Sequence, residues 1–449
     1  MTRNRRRCVR GLRFDRTRTQ YYDEQSSTMN RLAAVAHYGA RLSWLLRHRK
    51  GFGGQIPCAT PRLLVDVSAI VRHDAQTGVQ RVVRAVWHEL QRRDGDGYQL
   101  VPVYASHDHG YCYASGDFLD RPTKLGTLQP VMASAGDKFL GLDLSAHFLP
   151  KYRSQIRAWR ANGATVHLVV YDLLPLLRPE WFNKSTGVHF RKWFDVVAND
   201  ADQAICISKQ VSRDLRDRLQ SRGLKSKLVI ANMAMGGDIA ASRPSSGISQ
   251  EVSLLLDRLR FRPAILMVGT IEPRKGYEAA IAAFEHLWRN RSGESPDLVI
   301  VGKGGWKTLE TQNKIRCHPE HNIRLHWLDS VSDEGLCQLY EACRGVFMAS
   351  RGEGFGLPLV EAANHRRHVL ARDLPVFREQ GVPNALYFED DDPEILGERL
   401  TELAALGAKS RPAIPDLPTW SASVEALLTN IGIFQNHAKS STPPVRSSL

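Results

Sequence analysis

Two glutamates, Glu353 and Glu361, stand eight residues apart around Gly354-Phe355-Gly356-Leu357-Pro358. The apolar run 345–349 before them reads as a strand, and the residues after Gly356 read as a helix. Gly352, Gly354 and Gly356 leave backbone N–H groups open to a ligand. Pro358 falls in the first helical turn, where its missing N–H costs nothing. The helix start, with its free N–H groups and positive dipole end, favours an anion such as phosphate. Glu361 comes one turn in and can accept from a ribose diol, as an acidic residue does in dinucleotide folds. Two glutamates at this spacing are common by chance, but not around this turn after an apolar strand.

Two further loops have the same strand-before, helix-after placement. In 268–276 (VGTIEPRKG) Arg274 and Lys275 stand next to Gly276, where two cations can hold a diphosphate. Alone, this stretch reads equally as a solvated basic loop. In 300–306 (IVGKGGW) three glycines permit close backbone approach, although an ordinary turn explains them as well. Other constellations carry no chemistry. Asp94-Gly95-Asp96 follows polar residues and reads as a turn. Asp390-Asp391-Asp392 precedes Pro393 and reads as a helix cap. No zinc-protease, serine-hydrolase or Walker sequence occurs. The seven cysteines are scattered without C-x-x-C, as in a reducing compartment, and Cys206 reads as a core residue.

The elements that must position these loops alternate. Strand-like runs at 62–67, 99–104, 165–171, 203–207 and 227–231 are interleaved with helical spacing at 78–93 and 209–220. A second series follows, with strands at 264–268, 297–301, 323–328 and 345–349 and a helix over 277–290. Residues 243–250 (RPSSGISQ) read as a linker. At 449 residues the chain suits two domains. The fold class is α/β, with two doubly wound Rossmann-like domains facing a central cleft. The boundaries fall at 62–245 for the first domain and 246–419 for the second. A further apolar-periodic helix is read over 420–435, and 436–449 is a disordered tail.

The net charge of +14 is concentrated. Residues 1–60 hold thirteen Lys and Arg against three Asp and Glu, so ten of the excess charges sit in a basic, partly disordered extension over 1–61. Within it, 29–49 can form an amphipathic helix, suited to an anionic membrane surface or to packing on the next domain. No run of 18 apolar residues occurs, so no membrane-spanning helix is expected. A basic tail with few aromatics on a near-neutral body does not fit a nucleic-acid binder.

The loops resemble the retaining GT-B glycosyltransferases of family 4, the mannosyl- and rhamnosyltransferase-like group 1 enzymes. The likeness covers roughly residues 62–435. It rests on GTIEPRKG, VGKGGW and EGFGLPLVEA, with TGVQRVVR at 77–84 and YDLLP at 171–175. The resemblance implies a GT-B fold, a retaining hexosyl transfer, and no metal or cofactor beyond a nucleotide-sugar donor such as GDP-mannose. Carried over by position, Lys275 contacts the donor diphosphate, Glu353 the transferred sugar and Glu361 the ribose. Gly78 approaches sugar or phosphate, and Asp172 matches a family acid. Thr270, Arg274, Gly354, Phe355, Gly356 and Leu357 complete the donor set, with Glu353, Lys275 and Asp172 as the catalytic candidates. Thr270 stands where many relatives have Arg, and Tyr171 where many have His. Tyr171 therefore reads equally as an aromatic packed at the strand end. The resemblance implies an acceptor-binding role for 62–245, a donor-binding role for 246–419, a helix at 420–435 that crosses back to the first domain, and a glycan or lipid-linked acceptor in surface-polysaccharide synthesis. The enzyme is expected in the cytoplasm, and the basic segment 1–50 suits it to the inner face of the plasma membrane. A GT-B epimerase or phosphorylase is the alternative enzyme class.

Overall fold

The computed structural model describes residues 60–120, 128–224, 227–242, 244–290 and 295–434. The amphipathic helix expected over 29–49 and the tail over 436–449 lie outside these residues. The described residues form one compact unit.

Short apolar runs build the first sheet. The elements are β1 (Arg62–Asp66), α1 (Ser68–Arg72), α2 (Gly78–Gln91), β2 (Gln99–Ala105), β3 (Tyr111–Tyr113), β4 (Lys138–Gly141), α3 (Arg153–Ala161) and β5 (Thr165–Val170). They continue with α4 (Leu174–Leu177), α5 (Lys184–Asp200), β6 (Gln203–Cys206), α6 (Lys209–Ser221) and β7 (Val229–Asn232). The strand order is β3-β2-β1-β4-β5-β6-β7. All pairs are parallel except β2 with β3. β5 is buried along nearly its whole length, which explains why it reads as one apolar run rather than an alternation. Thr77 opens α2 with a capping box: its side chain accepts from the Gln80 N–H, and the Gln80 side chain accepts in return.

The second series is α7 (Gln250–Leu259), β8 (Ala264–Val268), α8 (Tyr277–Asn290), β9 (Asp297–Val301), α9 (Leu309–Arg316), β10 (Leu325–Leu328) and α10 (Asp333–Ala342). It continues through β11 (Gly345–Met348), α11 (Leu357–Asn364), β12 (His368–Arg372), α12 (Pro375–Arg378), β13 (Leu386–Phe388) and α13 (Pro393–Lys409). The strands lie parallel in the order β10-β9-β8-β11-β12-β13. Each face of this sheet has its own apolar core.

The last helix, α14 (Trp420–Asn430), leaves the second sheet and buries Val424, Leu427 and Leu428 in the core of the first. Its Trp420 Nε1 donates to the Asp238 carbonyl at 3.0 Å. Cys206 is fully buried, Asp392 caps α13, and Asp94–Gly95 lies in a turn.

Three features differ from the sequence reading. β3, β4, β12 and β13, of three to five residues, were not among the expected strands. One of them, β3, makes the first sheet mixed rather than parallel. Residues 244–250 of the expected linker are pinned: Ser245 N–H donates to Asp333 Oδ2 at 2.9 Å and Gly247 N–H to Glu334 Oε2 at 2.7 Å. Its polar composition serves these bonds to the start of α10.

Candidate donor site at the switch point of the second sheet

In the second sheet, β8 and β11 are neighbours whose onward connections run to opposite sides. Such a reversal opens a crevice beyond the carboxyl ends of the strands, and ligands bind there. The β8–α8 and β11–α11 loops face each other across that crevice. Pro273–Lys275 forms one 3₁₀ turn and Gly276 closes it in the left-handed region, at φ 72°. This aims Arg274 and Lys275 at the opposite loop.

Both cations meet Glu353. Arg274 Nη1 donates to Glu353 Oε2 at 2.7 Å, and Lys275 Nζ to Oε1 at 2.5 Å. Ser350 Oγ donates to the same Oε1 at 2.8 Å. Arg274 also donates through Nε to Glu272 at 2.8 Å and through Nη1 to the Gly352 carbonyl at 3.0 Å. These side chains are largely withdrawn from water, so the charges are weakly screened. Burial alone pushes the Glu353 carboxyl upward, but Arg274 and Lys275 outweigh it and hold it at about 2. Glu353 is therefore a fixed anion at neutral pH.

The other glutamate is fully engaged as well. Glu361 is 1% exposed. Arg81 Nη1 donates to its Oε1 at 2.5 Å, and the Tyr340 hydroxyl to its Oε2 at 2.8 Å. Arg81 comes from α2 of the first sheet and also donates through Nη2 to Asp333 at 2.7 Å. One guanidinium thus ties α2 to the starts of α10 and α11.

Backbone constraints shape the turn between the glutamates. A Cβ on Gly354 would fall 2.0 Å from the Tyr171 carbonyl oxygen, so the loop touches the end of β5 only because a glycine stands there. Gly356 caps α11 at φ 92°, and a Cβ there would meet the Phe377 ring at 2.5 Å.

The remaining sequence candidates divide. Asp172 lies at the same crevice; burial raises its pKa, while the Arg274 charge opposes that rise. Its Oδ1 accepts from the Leu174 N–H at 3.0 Å, at the start of α4. Tyr171 turns its hydroxyl away, donating to the Leu142 carbonyl at 2.7 Å. It therefore packs at the strand end. Gly78 opens α2 opposite Leu357, whose Cδ1 lies 3.6 Å from a Gly78 Cβ position. The short helix α1 intervenes between β1 and α2, so Gly78 begins the second helix after the strand. Thr270 is half-buried beside Gly305. Phe355 is 7% exposed and joins the core of the first sheet, so its side chain is spent on packing across the crevice.

Sequence reasoning missed two partners. Arg81 stands one turn after Gly78, and positions three apart share a helix face; that spacing was the available signal. Trp181 carried none, because it belongs to a short 3₁₀ turn. Its ring lies against Gly352, 2.8 Å from a Cβ position, and its carbonyl accepts from Trp306 Nε1 at 2.8 Å. The VGKGGW loop thus bridges the crevice, with Lys303 Nζ also donating to the Ala75 carbonyl at 3.1 Å.

Two doubly wound sheets meeting at a crevice in this way make the GT-B fold. A glycosyltransferase from Rickettsia africae superposes with a TM-score of 0.56 at 14% identity, over 84% of this chain and 100% of that one. Anabaena HepE, solved with UDP and glucose, gives 0.53 at 15% identity over 82% and 95%. Residues 260–414 match the family Glycosyl transferases group 1. The serotype-specific mannosyltransferase WbdA of Escherichia coli is 39% identical over 388 residues, which is 85% of this chain and 46% of the relative. The chain spans about half the length of the curated relatives it matches.

Proposed function

We propose that this chain is a family 4 glycosyltransferase that moves mannose, or a related deoxyhexose, from a nucleoside-diphosphate sugar to a glycan or lipid-linked acceptor with retention. GDP-mannose is the donor of choice, and surface-polysaccharide synthesis is the setting. The observation that carries the reading is the pair of switch-point loops meeting at Glu353, with Arg274 and Lys275 on one side and the start of α11 on the other. The family match over 260–414 and the 39% identity to a mannosyltransferase support it.

In this reading Lys275 leaves Glu353 for the diphosphate, and the N–H groups after Gly356 add their positive end. Glu353, held in place by Arg274 and Ser350, accepts from a hydroxyl of the transferred sugar. Glu361 exchanges Arg81 for the ribose. The bond from the anomeric carbon to the phosphate oxygen breaks while the acceptor oxygen bonds to the same face of that carbon. The departing phosphate oxygen takes the acceptor proton, so charge and protons balance without a metal. Asp172 faces Arg274 and keeps that cation in the crevice. The basic segment 1–50 draws the enzyme to the anionic inner face of the plasma membrane.

The test is transfer from GDP-mannose to a mannosylated acceptor, with the product anomer read by NMR. An α-linked product from the α-linked donor, lost in Glu353→Gln, supports the assignment. A β-linked product, or full activity in Glu353→Gln, overturns it.

A further inference from the structure

Five cations gather at the opposite end of the second sheet from the donor crevice. Arg344 precedes β11, Arg367 precedes β12, Arg260 follows α7, and Lys409 and Arg411 end and follow α13. All five line one cavity of about 450 Å³, with Glu341 as the only carboxylate among its lining residues. The strands are parallel, so this cavity lies at their amino ends and the donor loops at their carboxyl ends.

The ordinary explanation is that the cations offset the negative carboxyl ends of α7, α10 and α13. Three such ends supply roughly half a negative charge each, about −1.5 together. Five cations, Glu341 and the Asp257 beside Arg260 leave three positive charges, so about 1.5 remain uncompensated. Arg260 has a distant partner in Asp257 at 3.4 Å. Arg344, Lys409 and Arg411 have no ion pair among the described residues. Arg367 is 5% exposed; its Nη atoms donate to the Cys343 and Glu341 carbonyls at 3.2 and 2.6 Å, while its buried Nε has no partner. Burial, and next the charge of Arg411, lower the pKa of Arg367. A buried donor without an acceptor costs free energy that a bound anion would recover.

We infer that this cavity is a binding site for a phosphoryl anion, separate from the donor crevice, formed by Arg344, Arg367, Lys409 and Arg411. Its volume is in the roughly 300–1,000 Å³ range of small-molecule sites, so it takes a phosphate with an attached group. The phosphate can be free or carried by a lipid headgroup. The lipid source fits two exposed apolar side chains adjoining the lining residues in sequence: Phe261, next to Arg260, is 88% exposed and Ile414, three residues after Arg411, is 61% exposed.

The experiment compares the full chain with the double variant Arg344→Glu, Arg411→Glu, both at exposed positions. One arm titrates inorganic phosphate and glycerol 3-phosphate by calorimetry with the donor crevice saturated by nucleoside diphosphate. The other measures sedimentation with phosphatidylcholine vesicles containing phosphatidylglycerol. The basic segment 1–50 is common to both proteins, so its contribution cancels. Binding weakened about tenfold or more in the double variant, in either arm, supports the site and identifies its source. Unchanged melting temperature and unchanged basal transfer in the variant show that the fold persists. Equal binding by both proteins in both arms, or no binding in either, overturns the inference. Loss of donor binding in wild-type protein would refute the donor-site reading and leave this one standing.

Discussion

At the scale of residues, the centre of the site is one carboxylate between two cations. Its chemistry sets two outcomes. Glu353 ionises near 2 in the fold against an ordinary 4.5, so the folded state holds its proton less tightly than the unfolded chain. Its contribution to stability is complete above pH 4.5 and is lost as pH falls toward 2. The size is on the order of 3 kcal/mol. Urea unfolding at pH 7 and pH 3 captures about 2 kcal/mol of it, since the rest is lost only below pH 3, and Glu353→Gln should flatten that part of the difference. Arg274→Ala should behave differently, because it strands the buried Glu272 and leaves Glu353 with Lys275 as its one cation. Removing one member of a buried ion pair costs about 3–5 kcal/mol, so this variant should melt early as well as lose activity. Lys275→Ala should keep most of its stability and lose transfer by about 10²–10³-fold, since its charge acts on the departing group. Tm and kcat measured together separate the two roles.

Elements explain what could be read from sequence and what could not. β8, α8 and β9 have the expected bounds because their apolar runs are long and sharply ended. The glutamate-bearing turn was legible because its glycines are required by contact, with Tyr171 on one side and Phe377 on the other. A Gly354→Ala chain must move the Tyr171 carbonyl or the loop, and is expected to melt lower and to lose donor binding; differential scanning fluorimetry with and without nucleotide reads both. Short strands such as β4 and β13 were not legible, since three or four apolar residues fit several structures. Arg81 was hidden for another reason. Its role depends on a carboxylate 280 residues away, and no local pattern reports a contact at that separation. Arg81→Ala is expected to weaken the hold of α2 on α11 and to change the donor KM more than kcat, because Glu361 is then released before the ribose arrives.

The whole molecule joins its two sheets at several places. Arg81, Trp306 and Lys303 bridge the crevice, and α14 returns from the second sheet to the first. Trp420 is 2% exposed at the start of that return, so Trp420→Ala should cost about 3–5 kcal/mol through the cavity it leaves. In the proposed function, donor binding replaces the Lys275–Glu353 and Arg81–Glu361 pairs with ligand contacts, and a ligand that binds only the folded state raises its melting temperature by mass action. The most direct measurement is therefore a thermal-shift series of the full chain against nucleoside-diphosphate sugars, with Lys275→Ala in parallel. A rise with GDP-mannose that shrinks strongly in the variant is the expected result. No rise with any nucleotide sugar, or an equal rise in both proteins, would contradict a donor site at the loops that meet on Glu353.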